Sequence, residues 1–184
     1  HDAGSLMRHL KPTVMGQNPL DRERLWQGLW QSYRSTTMRA IGAVDVALWD
    51  IAGKVAGLPV HQLLGSYRSS VPAYASSPVH QTSEAYVEEA LGLKDRGWSA
   101  YKIHPPTQWE FDIEVCKAVR EAVGDDYRVM LDSTWSYRYE EALRVGLAIQ
   151  DLGFYWYEDP LADDDILNYV KLRQKLDIPI MATE

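Results

Sequence analysis

The sequence contains a single cysteine, Cys116, among its 184 residues, so no internal disulfide can form within it. This excludes a disulfide-stapled fold, and an unpaired thiol is typical of a reducing, cytoplasmic compartment, which we expect here. Basic residues are outnumbered as well, because 19 Lys and Arg accompany 26 Asp and Glu, for a net charge of −7. Since nucleic acids and anionic lipids are held by basic patches, we expect neither as a partner.

Long apolar runs are also missing. None approaches the roughly 18 residues that a membrane-spanning helix requires, so we expect no membrane partner. Hydrophobic residues make up 46% of the sequence and charged residues 24%, which is the balance of a globular protein with a packed core. At about 150 residues per domain, the length allows one domain, or one domain and a fragment.

Residues 1–70 have the pattern of helices joined by loops. The clearest predicted helix covers residues 37–56, where apolar side chains recur every three or four residues and form one continuous stripe. Gly57 follows at a position that favours a left-handed residue, and Pro59 prevents the helix from resuming. The stripe consists of Ile41, Val44, Leu48, Ile51 and Val55.

From residue 71 onward, short apolar runs alternate with amphipathic helices. The runs are largely continuous, as expected for parallel strands covered on both faces, and the alternation indicates a parallel α/β fold. The predicted strands cover residues 71–76, 98–104, 127–132, 154–158 and 178–184. The predicted helices cover residues 83–96, 110–123, 138–152 and 163–176.

A doubly wound sheet and a barrel are the two candidate architectures. A nucleotide-binding doubly wound sheet would carry a G-x-G-x-x-G motif after a strand, and the sequence has none there. The repeat length favours the barrel. We therefore predict an α/β fold in which a helical segment, residues 1–70, precedes strands 1–5 of a (β/α)₈ TIM-type barrel, residues 71–184.

The same repeat locates a candidate site. The last polar residues of four successive predicted strands are 28, 26 and 26 residues apart: His104, Asp132, Glu158 and Glu184. Nearly equal spacing indicates that these residues end their strands at equivalent heights, and the carboxyl ends of barrel strands form the mouth of the active site. We therefore expect the three carboxylates to lie side by side on one rim.

Three adjacent carboxylates raise one another's pKa values unless a cation neutralises them. Oxygen ligands with places left for water and substrate suit Mg²⁺, with Mn²⁺ as a possible substitute. The sequence thus predicts a metal site formed by Asp132, Glu158 and Glu184. The alternative is that each acid caps the helix after its strand, which explains one acid better than three at matching heights.

Lys102 and His104 share one face of the second strand, because strand side chains alternate, and we expect that face to line the barrel interior. A lysine in an apolar strand is costly unless it meets an anion, which the acids or a substrate carboxylate would supply. With an ordinary pKa near 6.5, His104 could move protons around neutral pH. The alternatives are a lysine whose tip reaches water and an ordinary histidine at the start of a loop.

Several short motifs follow one another along essentially the whole chain from about residue 39. They are Ala47 to Lys54, Gly57-Leu58-Pro59, Leu63-Leu64-Gly65, Gly97 through Lys102-Ile103-His104, Leu131-Asp132, Tyr157-Glu158-Asp159-Pro160 and Ala182-Thr183-Glu184. In this order and spacing the motifs resemble the enolase superfamily in its mandelate racemase and muconate lactonizing enzyme branch.

The resemblance implies a fold and a chemistry. Residues 1–70 would be the helical remainder of an α+β capping domain, followed by the first half of a modified TIM barrel. Mg²⁺ would be held by Asp132, Glu158 and Glu184, and the shared reaction removes a proton from the carbon beside a carboxylate to give a metal-stabilised enolate. The family also carries acid and base groups on strands six to eight, so we expect a chain nearly twice as long.

Two positions depart from the family pattern. The second strand commonly ends Lys-x-Lys, and here the second lysine, the usual base, is replaced by His104. Lys102 matches the first lysine, which contacts the substrate carboxylate. The third strand often reads Asp-x-Asn, and here Thr134 stands in place of the asparagine. His104 could act as base or acid, or leave proton abstraction to the other side of the barrel.

The function predicted from the resemblance is Mg²⁺-dependent dehydration of a sugar acid to a 2-keto-3-deoxy acid, by a homo-oligomeric lyase. A racemase or epimerase and a cycloisomerase are the alternatives within the superfamily, and a catalytically silent barrel used for binding or assembly is the alternative outside it. Substrate contacts are expected from Ser76 at the end of the first strand and from Thr134 and Trp135 after the third.

Overall fold

In a computed structural model of the chain, residues 2–182 are described. They form two compact units that divide between Val71 and Pro72. No helix within residues 2–182 is both long enough and apolar enough to cross a membrane.

The first unit is helical. Its helices are α1 (Asp2–Ser5), a π-helix (Leu6–Leu10), α2 (Lys11–Val14), α3 (Arg22–Gln31), a 3₁₀ helix (Tyr33–Ser35), α4 (Met38–Ala56) and α5 (Val60–Leu63). Helix α4 begins after Thr37, whose hydroxyl accepts a hydrogen bond from the N–H of Ala40 at 3.2 Å. It ends at Gly57, whose φ of 65° is left-handed, so the predicted end of this helix is confirmed.

The core of the first unit uses only part of the predicted apolar stripe of α4. Ile41 and Leu48 are buried, and Ile41 packs with Leu10 and Leu29. Ile51 and Val55 are exposed within the described unit.

The second unit alternates strands and helices. Its strands are β1 (Ala75–Ser76), β2 (Ala100–Ile103), β3 (Arg128–Asp132), β4 (Tyr157–Glu158) and β5 (Ile180–Met181). Its helices are α6 (Ser83–Asp95), α7 (Trp109–Val123), α8 (Tyr139–Asp151) and α9 (Ile166–Lys175). All neighbouring strands are parallel and the sheet order is β1-β2-β3-β4-β5, which confirms the predicted α/β alternation.

The two faces of the sheet differ in character. Odd-numbered residues such as Tyr101, Leu131 and Tyr157 face the helices and are completely buried in one core with apolar residues of α6 to α9. Side chains of the opposite parity lie on the other face, where they include Lys102 and Asp132. The candidate polar residues are therefore held on a rigid sheet whose opposite side is packed.

Candidate active site

The candidate site lies at the carboxyl ends of β2, β3 and β4. Asp132 and Glu158 are paired in register as the last residues of β3 and β4, and Lys102 lies near the end of β2. Parallel strands bring their carboxyl ends to the same edge of a sheet, so residues far apart in sequence meet there.

Lys102 connects the two acids. Its ammonium lies 2.8 Å from Oδ2 of Asp132 and 3.0 Å from Oε1 of Glu158, and its side chain is only 9% exposed. Burial alone would lower the pKa of Lys102, but hydrogen bonds to the two carboxylates and their negative charge outweigh burial and raise it. One buried cation thus compensates two carboxylates.

Asp132 has two further hydrogen-bonding partners, His104 and Thr134. Nε2 of His104 lies 2.9 Å from the same Oδ2 that Lys102 contacts, and the N–H of Thr134 donates to Oδ1 at 3.1 Å. Burial alone would raise the pKa of Asp132, yet hydrogen bonds from His104 and Lys102 lower it to about 2. Asp132 is therefore a carboxylate, not a carboxylic acid, in this arrangement.

The His104 ring is oriented by Ser77. Nδ1 of His104 lies 2.8 Å from the carbonyl oxygen of Ser77, and because a carbonyl can only accept, Nδ1 carries a hydrogen. The Ser77 hydroxyl accepts the backbone N–H of His104 at 2.8 Å. The hydrogen bond to Asp132 is the main cause that raises the pKa of His104, partly offset by burial. Nε2 is the ring nitrogen that faces Asp132.

The second oxygen of Glu158 also has a partner. Nε1 of Trp156 donates to Oε2 of Glu158 at 2.9 Å, since residues two apart on a strand share a face. The indole packs edge-on against Tyr74, with ring centroids 5.4 Å apart. Glu158 is thus held from two sides, by an ammonium and by an indole.

Backbone hydrogen bonds join the loops that follow β3 and β4. The N–H of Trp135 donates to the carbonyl of Asp159 at 2.7 Å, and the N–H of Ser133 donates to the carbonyl of Glu158 at 3.0 Å. Thr134, Trp135 and Asp159 have positive φ angles of 45°, 63° and 42°. Left-handed backbone is uncommon for residues other than glycine, and three such positions beside Asp132 and Glu158 fix how these loops leave the sheet.

The structure places the remaining predicted residues as follows. Ser76 is exposed, and its hydroxyl lies 3.3 Å from Nδ1 of His104. Thr134 and Trp135 are exposed in the loop after β3, beside the site. Glu184, the third predicted metal ligand, lies outside the described residues.

Sequence reasoning missed Trp156 and gave the more prominent role to Ser76 instead of Ser77. The signal for Trp156 was available, because it lies two residues before Glu158 and must share its face. Ser77 follows Ser76 at the end of the first predicted strand, but its contacts with His104 could not be read from the sequence, because they depend on how β1 ends beside β2.

The described donors fit a hard divalent cation. The carboxylate oxygens of Asp132 and Glu158 lie close enough together for the ammonium of Lys102 to contact both. A metal cation beside this ammonium, or in its place, could bind the same oxygens. Among residues 2–182 there is no group of three or more His, Cys, Asp or Glu arranged to hold a metal.

Comparison with known proteins identifies the family. The family described as "Enolase C-terminal domain-like" matches residues 85–184, and "Mandelate racemase / muconate lactonizing enzyme, N-terminal domain" matches residues 2–65. The chain is 33% identical over 181 residues to the D-galactarolactone cycloisomerase of Agrobacterium fabrum, covering 93% of this chain and 48% of that protein. It is 31% identical to the L-talarate/galactarate dehydratase of Salmonella typhimurium, covering 96% and 46%.

A solved structure is similar as well. The D-glucarate dehydratase of Agrobacterium tumefaciens, complexed with magnesium, superimposes with a TM-score of 0.88 and 36% identity, covering 96% of this chain and 51% of that one. The chain spans about half the length of the curated relatives it matches. The chain belongs to the mandelate racemase and muconate lactonizing enzyme branch of the enolase superfamily, as its motifs predicted, and shares the superfamily's barrel-type α/β fold.

Proposed function

We propose that this chain forms part of a Mg²⁺-dependent enzyme that dehydrates a sugar acid to a 2-keto-3-deoxy acid. Three kinds of observation support the proposal: the paired carboxylates at the strand ends, the buried lysine beside them, and relatives named as dehydratases of talarate, galactarate and glucarate. The paired carboxylates carry it, because without a cation site the chemistry has no basis.

Asp132 and Glu158 would hold the cation, together with Glu184. When bound, the cation supplies positive charge that stabilises the enolate formed by removal of a proton beside a carboxylate. Oxygen ligands of this kind suit Mn²⁺ too, so we propose that Mn²⁺ can replace Mg²⁺.

Lys102 would bind the substrate carboxylate. Its ammonium is buried, charged and already placed between Asp132 and Glu158, so an incoming carboxylate beside these groups can gain a charge-assisted hydrogen bond. Because Lys102 is fixed by two ion pairs, little side-chain entropy remains to be lost when the substrate binds.

His104 would transfer a proton through Nε2. Its Nδ1–H is held by the Ser77 carbonyl, which keeps the ring in one orientation and leaves Nε2 facing Asp132 and the open face of the sheet. In a dehydration, one group removes the α-proton and an acid protonates the departing β-hydroxyl, so that water leaves and the enol becomes a 2-keto acid. Nε2 of His104 is placed to perform one of these two transfers.

A cycloisomerase is the second candidate, because a relative of similar identity is named as a D-galactarolactone cycloisomerase. An epimerase is the third and would need bases on both faces of the substrate.

Residues 1–70 are proposed to belong to a capping domain, and residues 71–184 to the first half of a (β/α)₈ barrel. We propose a cytoplasmic location, since Cys116 is buried and unpaired.

The experiment is to incubate the complete protein and Mg²⁺ with a panel of aldonic acids, aldaric acids and their lactones in D₂O and to record proton NMR spectra. A dehydratase yields a 2-keto-3-deoxy acid. A cycloisomerase gives an isomer of its lactone substrate, and an epimerase gives an inverted, deuterated acid.

Asp132→Asn, tested beside the exposed control Asp163→Asn, shows whether the site is responsible. Of these two variants, we expect only Asp132→Asn to lose turnover and the rise in melting temperature that Mg²⁺ produces. A protein that neither binds Mg²⁺ nor exchanges an α-proton with any acid, and that tolerates Asp132→Asn, would instead be a silent barrel.

A further inference from the structure

We infer that Trp156 is a positioning residue for the cation site, because its indole holds Oε2 of Glu158 and leaves Oε1 as the oxygen that meets the cation. This rests on the proposed function in one respect, that Glu158 is a ligand. It adds a residue that contacts neither substrate nor cation, and it assigns different tasks to the two oxygens of one carboxylate.

The contacts of Glu158 separate its two oxygens. Oε1 lies 3.0 Å from the ammonium of Lys102, which also contacts Asp132, so Oε1 faces the position where positive charge is concentrated. Oε2 lies 2.9 Å from Nε1 of Trp156. An indole N–H can only donate, so it holds Oε2 by a hydrogen bond and does not itself bind a cation.

Trp156 is itself well fixed. It immediately precedes β4, and the N–H of its neighbour Tyr157 donates to the carbonyl of Pro179 at 2.9 Å, which holds the backbone at this point. Its ring packs edge-on against Tyr74 and at a tilt against Tyr155, with centroids 5.4 Å away in both cases. Because the indole is fixed, its hydrogen bond also fixes the Glu158 carboxylate.

The physical reason for such a donor is the freedom of a glutamate side chain. The terminal torsion of glutamate has a broad, roughly two-fold preference, so an unbonded carboxylate can rotate and present either oxygen or both. The indole restricts that rotation before the cation arrives. Outer partners of metal ligands contribute about 10- to 100-fold to metal affinity, so loss of this N–H should weaken binding by about 10-fold.

The test is Trp156→Phe, which removes the N–H and keeps an aromatic ring beside Tyr74. The matched control is Trp98→Phe, a change at a half-exposed tryptophan just before β2. The dissociation constant for Mg²⁺ is measured by calorimetry on the complete protein, and the melting temperature is measured in Mg²⁺-free buffer.

We expect Trp156→Phe to raise the Mg²⁺ dissociation constant by about 10-fold, with Trp98→Phe close to wild type. The two variants should melt at similar temperatures without Mg²⁺, because a positioning role concerns binding and a packing role concerns the fold. Equal Mg²⁺ affinity in Trp156→Phe and wild type would overturn the inference while leaving the proposed function intact. A wild type that binds no Mg²⁺ would overturn both.

A second measurement needs no change at the site. In the wild-type protein labelled with ¹⁵N at the indole nitrogens, Mg²⁺ should shift one indole N–H resonance far more than the others, because one indole is bonded to a ligand. If Mg²⁺ binds and no indole resonance responds, Trp156 does not hold a metal ligand. This outcome is independent of whether Trp156→Phe folds.

Discussion

The ammonium of Lys102 lies 2.8 Å from Oδ2 of Asp132, although the two residues are 30 positions apart in the chain. Both side chains are at least nine-tenths buried. The contact exists because β2 and β3 are parallel neighbours that pair Lys102 with Met130, two residues before Asp132 and on the same face. It supplies charge compensation in the position where the proposed cation would act.

Lys102→Met tests that compensation. This substitution would leave the carboxylates of Asp132 and Glu158 close together without the ammonium that both contact. We therefore expect the free energy of unfolding in Mg²⁺-free buffer to fall by about 3 kcal/mol. Mg²⁺ should restore part of the loss. Lys54→Met is the control, because Lys54 and Asp50 form an exposed pair whose loss should cost less than about 1 kcal/mol.

Chemical denaturation of both variants, with and without Mg²⁺, checks this prediction. Equally mild effects of Lys102→Met and Lys54→Met in Mg²⁺-free buffer would show that the ion pairs of Lys102 with Asp132 and Glu158 do not stabilise the fold.

Two neighbouring serines should differ sharply in importance. Ser77→Ala removes the hydroxyl that accepts the backbone N–H of His104, so we expect a loss of about 1–3 kcal/mol in stability. We also expect a loss of about 10-fold in turnover, because the backbone that carries the His104 ring would shift. Ser76→Ala removes an exposed hydroxyl with one long contact and should stay close to wild type in both. Urea unfolding measures the stability of both variants, and steady-state kinetics measures their turnover. A larger effect at Ser76 would restore that residue to the role first predicted for it.

The ionisation of Asp112, a completely buried carboxyl of α7, should make stability depend on pH. Burial raises the pKa of Asp112, although the hydroxyl of Tyr137 donates to it and works in the opposite direction. A carboxyl whose folded pKa exceeds its unfolded value stabilises the fold fully below the unfolded pKa, and this contribution is lost as the pH rises through the folded pKa.

We therefore expect Asp112→Asn to gain stability relative to wild type as the pH rises from about 4, with the difference levelling at higher pH. Tyr137→Phe should lose stability more steeply than wild type over the same range, because Asp112 would lack its donor. Urea unfolding from pH 4 to 8 gives the three curves. A constant difference between Asp112→Asn and wild type would show that Asp112 does not titrate abnormally.

Alanine substitution at two helical glycines should change the stability of the fold in opposite directions. A Cβ at Gly146 of α8 would collide with Leu176 and lie 3.3 Å from the Tyr157 ring, so Gly146→Ala should cost about 1–3 kcal/mol. Gly92 of α6 is exposed with open space around it, so Gly92→Ala should add about 0.5–1 kcal/mol through helix propensity. Thermal unfolding measures both. Destabilisation by Gly92→Ala would contradict this placement of α6.

Much of the fold follows from periodicity. The predicted helices at residues 83–96, 110–123 and 138–152 match α6, α7 and α8 to within one residue at each end, because their apolar faces repeat along the chain. The strands are less well predicted. Of the predicted residues 71–76, only Ala75 and Ser76 form β1, since apolar runs continue beyond the few residues that pair with a neighbour.

The candidate site was predictable where it depends on strand ends and not where it depends on local packing. Regular spacing indicated Asp132 and Glu158, and strand alternation indicated Lys102. The orientation of His104 could not be read from the sequence, because it depends on the hydroxyl and carbonyl of Ser77 on a neighbouring strand. Hydrogen bonds between strands are set by register, which the sequence specifies only indirectly.

The most direct measurement is the anomalous scattering of Mn²⁺ in crystals of the complete protein. We expect one strong peak bonded to oxygens of both Asp132 and Glu158, absent in Asp132→Asn crystals grown in the same way. A peak elsewhere, or Mn²⁺ bound equally well without the Asp132 carboxylate, would contradict the claim that these two strand ends form a cation site.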